Sequence, residues 1–108
     1  METERIFKAL GEPTRLQIFR NLLERKHCVR SLSRKLGITE SAVSQHLKVL
    51  REAGLIYGEK YGYHTHYLPE QAVLDAFAEA VCAMRDQSRT VDRESIVCNC
   101  EVRGKENE

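Results

Sequence analysis

The chain has no long hydrophobic run. No apolar stretch approaches the roughly 20 residues that a bilayer-spanning helix needs, so no membrane segment is expected. Glu2, Glu4 and Arg5 interrupt any hydrophobic start, and a secretory leader is not expected either. Cys-x-x-Cys is missing, as are a nucleotide-binding loop and a plausible local set of Ser, His and acid, so nothing points to an enzyme. Charge of one sign is not in excess: 17 Lys and Arg face 16 Asp and Glu, a net +1. The distribution is less even. Residues 1 to 54 carry 11 basic and 6 acidic side chains, and residues 55 to 108 carry 6 and 10, so the halves stand at +5 and −4. Any polyanion is therefore expected on the first half. A cytoplasmic location is expected, where the four cysteines would be reduced thiols and not structural disulfides.

The most informative stretch is Arg30 to Leu55, which reads as two short helices joined by a turn. The first spans Arg30 to Leu36. Gly37-Ile38 breaks it, because glycine takes a left-handed conformation at little cost. Thr39 stands where an N-cap belongs, the second helix runs from about Glu40 to Ala53, and Gly54 ends it. Val43, Leu47 and Leu50 fall on one apolar stripe at helical spacing. Ser41, Gln45 and Lys48 lie opposite, with Ser44 on the flank, while His46 faces the stripe side as a packed or capping residue. Ser and Gln can read base edges, and Lys can meet phosphate or guanine. The layout is helix-turn-helix, whose second helix enters a major groove; a plain helical hairpin with a solvated polar face shows the same periodicity.

The residues after this helix pair favour the first reading. Leu55-Ile56-Tyr57 is a short apolar run, Gly58 to Gly62 is rich in turn formers, and Tyr63 to Tyr67 alternates. A β-hairpin is expected there, which makes the unit a winged helix. Lys60, Tyr63 and His64 are the candidate backbone contacts of the wing, with Thr39 beside the recognition helix. His64 and His66 share a strand face, and two histidines without a nearby carboxylate or thiol suit a solvated strand better than a metal.

The remaining helices supply core and partner surface. A helix over Thr3 to Leu10 brings Ile6, Phe7 and Leu10. Glu12-Pro13 opens another with a stripe of Leu16, Phe19, Leu22 and Leu23. A long helix from Pro69 to about Gln87 carries Val73, Leu74, Phe77, Ala80, Val81 and Met84, flanked by Ala72, Ala76 and Ala83. The fold class is mainly α with a small hairpin wing, and the first and last helices are expected to form a homodimer seam. Residues 1–87 form the DNA-binding and dimerisation domain, and residues 88–108 form a flexible, cysteine-bearing tail.

Four segments carry a family resemblance: ALGEPTRLQIFRNLL (Ala9 to Leu23), HCVRSL (His27 to Leu32), SAVSQHLKVLREAGL (Ser41 to Leu55) and the wing ending HTHYL. With these in order, roughly residues 4 to 85 resemble the ArsR/SmtB family of bacterial winged-helix repressors. The resemblance implies a homodimer on an operator near its own promoter. It also implies release by an inducer, usually a metal ion, a metalloid or an oxidant of thiols.

Many members of that family carry Cys-Val-Cys at the start of the helix before the recognition helix. Here the stretch is Cys28-Val29-Arg30, so one thiol remains, and Cys28 suits packing as a small apolar residue. The long helix begins EQAV without an Asp-x-His pattern, which argues against the family's other familiar site, for zinc. Cys82 lies about 140° from the centre of the apolar stripe, near Asp75, where packing gives it no reason to be. Cys98 and Cys100 stand two residues apart in the charged tail, and 15 residues separate Cys82 from Cys98. Three thiols with no obvious fourth ligand suit trivalent arsenic or antimony, whereas zinc prefers four ligands. The expectation is an arsenic- or antimony-responsive repressor using Cys82, Cys98 and Cys100, with no organic cofactor. A thiol redox or persulfide sensor of the same fold is the alternative, and a zinc-responsive repressor a further one. A thiol carrier whose helix pair only binds protein belongs to another class, which a salt-dependent gel shift separates.

Overall fold

Glu12 and Pro13 set the first long helix. The Glu12 carboxylate accepts a hydrogen bond from the Arg15 amide at 2.7 Å, and Pro13 takes the first helical position, where a missing N–H removes no bond. The computed structural model describes residues 2–100. In chain order the elements are α1 (Thr3–Leu10), α2 (Pro13–Glu24), α3 (Val29–Leu36), α4 (Glu40–Glu52), β1 (Ile56–Tyr61), β2 (His64–Pro69) and α5 (Gln71–Ser88). This is a winged helix-turn-helix.

One core joins the first four helices to the base of the wing. Ile6, Ile18, Leu32, Val43, Leu50 and Leu55 are fully buried, with Leu22, Leu47, Phe19, Ala9 and Ile56 nearly so. Each large aliphatic side chain removed from water contributes about 1.5–3 kcal/mol before chain entropy is counted. The expected α2 stripe needs one correction. Leu23 is 53% exposed, and Ile18 is buried instead. Leu22 already points inward, and the next residue is turned about 100° away, onto the flank.

The wing also departs from expectation. The strands pair antiparallel from Ile56↔Pro69 to Tyr61↔His64, so Gly58 to Tyr61 belong to β1 and only Gly62-Tyr63 turn. Gly62 has φ +61, the positive value that two-residue hairpin loops demand. Gly58 is strand for a different reason. A Cβ there would lie 2.8 Å from the Thr65 methyl, so the missing side chain lets the strands pass. Lacking the alternation of a strand, this stretch reads from sequence as a loop.

Helix α5 packs on α1 through Phe7 and Phe77, whose rings meet edge-on at 5.1 Å. Val73, Leu74 and Phe77 reach the core edge, yet no α5 residue is buried, and Val81 and Met84 are exposed. Residues 89–100 are exposed throughout, and the last positions of the expected tail, 101–108, lie outside the described residues. Among the described residues no helix is long and apolar enough to cross a membrane.

Candidate nucleic-acid interface

The turn between α3 and α4 is built as its residues dictate. Gly37 adopts φ +71 at the end of α3, and its amide donates to the Ser33 carbonyl at 2.9 Å. Ser33 Oγ donates to the Ile38 carbonyl at 2.6 Å, and Thr39 Oγ1 accepts from the Ala42 amide at 3.0 Å. Thr39 is thus engaged as the N-cap of α4. At the far end the Gly54 amide donates to Arg51 and the Leu55 amide to Leu50, with Gly54 at φ +82. That paired bonding closes the helix and buries Leu55 against Leu50.

With Val43, Leu47 and Leu50 held inward, Ser41, Ser44, Gln45 and Lys48 are all exposed on one side of α4. His46 is half-buried, its Nδ1 3.9 Å from the Glu12 carboxylate that caps α2. It therefore sits between helices, away from the polar face. In the wing, Lys60, Tyr63 and His64 are exposed, Tyr63 completely. His66 packs on Tyr61, ring centres 4.9 Å apart, so His64 and His66 face different surroundings along the same strand.

Sequence reasoning misses what holds the wing. Lys26 Nζ donates to the Tyr61 hydroxyl at 3.0 Å and lies over its ring, while that hydroxyl donates to Glu59 at 2.7 Å. The bond to Tyr61 raises the Lys26 ammonium above its ordinary pKa. The two residues are 35 positions apart, and no local pattern pairs them. Nearby, the Tyr67 amide donates to the His27 carbonyl at 2.8 Å, which joins the chain before α3 to the wing as an isolated bridge.

His27 is buried at this joint. Its Nδ1 shares a 2.7 Å hydrogen bond with Ser31 Oγ, and its Nε2 has no partner among the described residues. Burial lowers its pKa from the usual value, and the positive charges of Lys35 and Arg25 add to the effect. The folded protein therefore keeps a neutral ring that the unfolded chain protonates near pH 6.5. This contribution to stability is complete above that pH and is lost as pH falls below it toward the lower folded value. Thermal midpoints at pH 7.5, 6.5 and 5.5 should decline, and the decline should flatten in His27→Gln. Parallel slopes in the two proteins would remove His27 as the cause.

The thiols are dispersed. Cys28 is half-buried at the N-terminus of α3 without a side-chain capping bond, and Cys82, Cys98 and Cys100 are exposed. Hydrogen bonding between Cys98 and Cys100 lowers the first thiol's pKa and raises the second's. Cys82, Cys98 and Cys100 do not gather into one cluster among the described residues. Among the described residues no group of three or more His, Cys, Asp or Glu side chains could hold a metal ion.

Comparison with known proteins fits this geometry. Residues 12–57 match the family model described as bacterial regulatory protein, arsR family. The chain is 37% identical to the arsenical resistance operon repressor of Bacillus subtilis, over 75% of this chain and 79% of that one. It is 38% identical to the transcriptional repressor SmtB of Mycobacterium tuberculosis over 69% of this chain, and spans 59% of that relative's length. Among solved structures, an ArsR-like transcriptional regulator from Rhodococcus superposes with a TM-score of 0.69 at 28% identity, covering 80% of this chain and 84% of that one. With its capped helix pair, its wing and these relatives, the chain belongs to the ArsR family of bacterial regulatory proteins.

Proposed function

We propose that the protein is a cytoplasmic transcriptional repressor that binds operator DNA as a homodimer and dissociates when trivalent arsenic or antimony engages its thiols. The carrying observation is the outward set Ser41, Ser44, Gln45 and Lys48 on a helix capped at both ends, beside an anchored wing. A rigid helix presenting short polar side chains is what reading base edges requires. Its action is binding alone, with no catalysed step.

The dimer reading rests on α1 and α5. Phe7, Val81 and Met84 are 48%, 40% and 48% exposed, and a second copy would cover them. The inducer reading rests on donor chemistry and on the relative that carries an arsenical repressor's name. Cys98 and Cys100 offer two soft sulfurs two residues apart, and the stretch 89–98 after α5 is long enough, when extended, to meet Cys82 for a third. When bound, the metalloid would tie the arm to α5. It can weaken DNA binding only by as much as it prefers the arrangement that fits DNA less well.

Arsenite titrated into a complex with palindromic operator DNA should release it, and Cys98→Ser/Cys100→Ser should stay bound. Unchanged affinity in the first protein, or a full response in the second, rejects the inducer assignment. One observation favours a second reading. Cys98 and Cys100, exposed and two residues apart, could give up two electrons and two protons to a peroxide and close a disulfide. In that case peroxide releases the DNA and a dithiol restores binding.

A further inference from the structure

We propose that the cleft between α1, the first turn of α2 and the last turn of α4 is a binding site for a small phosphomonoester that also carries a hydroxyl group. The inference goes beyond the DNA-binding reading and does not depend on it. Arg5, Lys8 and Arg15 line a cavity of about 290 Å³, with the Glu52 carboxylate and the small side chains of Ala9 and Ala53 in its walls. That volume lies at the small end for ligand pockets, which suits a compact metabolite.

Helical spacing brings these walls together. Arg5, Lys8 and Ala9 stand at i, i+3 and i+4 and share one side of α1, and Val49, Glu52 and Ala53 repeat that spacing at the end of α4. Phe7 falls on the opposite side of α1, so the surface assigned to a second copy faces away from the cleft. Arg15 enters from α2. Its Nε donates to the Ala9 carbonyl at 2.7 Å, a bond that satisfies the end of α1 and fixes the guanidinium.

The fold accounts for Nε of Arg15 and for little else in this charge cluster. Neither terminal nitrogen of Arg15 has a hydrogen-bond partner among the described residues. Arg15 stands in the first turn of α2, where the helix dipole disfavours a cation. Among the described residues Lys8 and Arg15 have no carboxylate within salt-bridge distance, and Arg5 meets only Glu2, at 4.0 Å in an exposed and weak pair. Three cations against one carboxylate leave an excess of two positive charges in the cleft, the complement of a phosphomonoester dianion. A fixed guanidinium fork matches phosphate oxygens, and the Lys8 ammonium adds a point charge beside it. Glu52 selects within this class. It repels an anion that has nothing to donate, and it accepts a hydrogen bond from one that bears a hydroxyl.

Calorimetric titration of the full chain at fixed ionic strength, with glycerol 3-phosphate and separately with inorganic phosphate, tests this. Wild type should bind both saturably and the ester more tightly. Lys8→Gln should weaken both by about tenfold, the lower end for a charge-assisted hydrogen bond because Lys8 is exposed. Arg15→Lys keeps the charge but loses the fork, and should weaken both as well. Its melt is followed in parallel, since the bond to Ala9 goes with it, and Lys8→Gln keeps the test valid should that protein unfold. Glu52→Ala should lower the preference for the ester over inorganic phosphate. Arg89→Gln, a matched charge loss at the end of α5, should bind like wild type. Absence of saturable binding in wild type overturns the site, and so does wild-type affinity in Lys8→Gln. An equal loss in Arg89→Gln reduces the effect to net charge and overturns it too. An unchanged preference in Glu52→Ala overturns the assigned ligand class.

Discussion

Gln45→Ala should weaken binding to the cognate operator by roughly 5- to 150-fold per half-site, the equivalent of about 1–3 kcal/mol for a good bidentate base contact. Binding to unrelated duplex should stay near wild type. Gln45 is neutral and exposed, so its removal alters neither the phosphate attraction nor the core. Its position is nonetheless rigid, because Val43 and Leu47 on either side are buried and the Thr39 cap holds the first turn. Alanine is a good helix former, so loss of fold would not mimic loss of reading. Lys48→Ala should behave differently, lowering affinity for every duplex and reducing its salt dependence. A Gln45→Ala protein that binds both duplexes equally poorly would show that this side chain positions the helix and does not read a base.

The largest stability effect is expected at Leu50. The side chain is fully buried, and it packs where α4 ends on the Leu55 turn. Leu50→Ala removes its transfer free energy and leaves a cavity, at a cost of about 2–5 kcal/mol. Small domains hold only about 5–15 kcal/mol in total, so the thermal midpoint should fall by roughly 10–30 °C. Leu23→Ala, at a site 53% exposed, should shift stability by no more than about 0.5 kcal/mol. Urea unfolding at one fixed protein concentration measures both, since any dimer adds a mass-action term. A Leu50→Ala midpoint within a few degrees of wild type would mean that the core repacks around the gap.

These two residues illustrate what sequence reading can reach. Leu50 and Gln45 lie on opposite sides of a regular helix, and helical periodicity alone separates them. The same reasoning locates Gly37, Thr39 and Gly54, because each does a local job that few other residues do. It fails where the cause is not local. Leu23 is misplaced because two adjacent leucines compete for one stripe, and only the partner helices decide which is admitted. β1 is cut short because Gly58 reads as a turn former, while its real purpose is clearance for Thr65 on the other strand. The Lys26–Tyr61 anchor spans 35 positions, and the thiols of Cys82 and the tail depend on where a charged arm lies.

The short joint at Gly54 and Leu55 has a mechanical consequence. Leu55 is fully buried, takes the end of α4 through its amide, and gives its carbonyl to the Glu70 amide at 2.8 Å, just before α5 begins. Recognition helix, wing and α5 thus meet at one residue. A push delivered to the C-terminal helix is therefore expected to reach the reading head through that single pin.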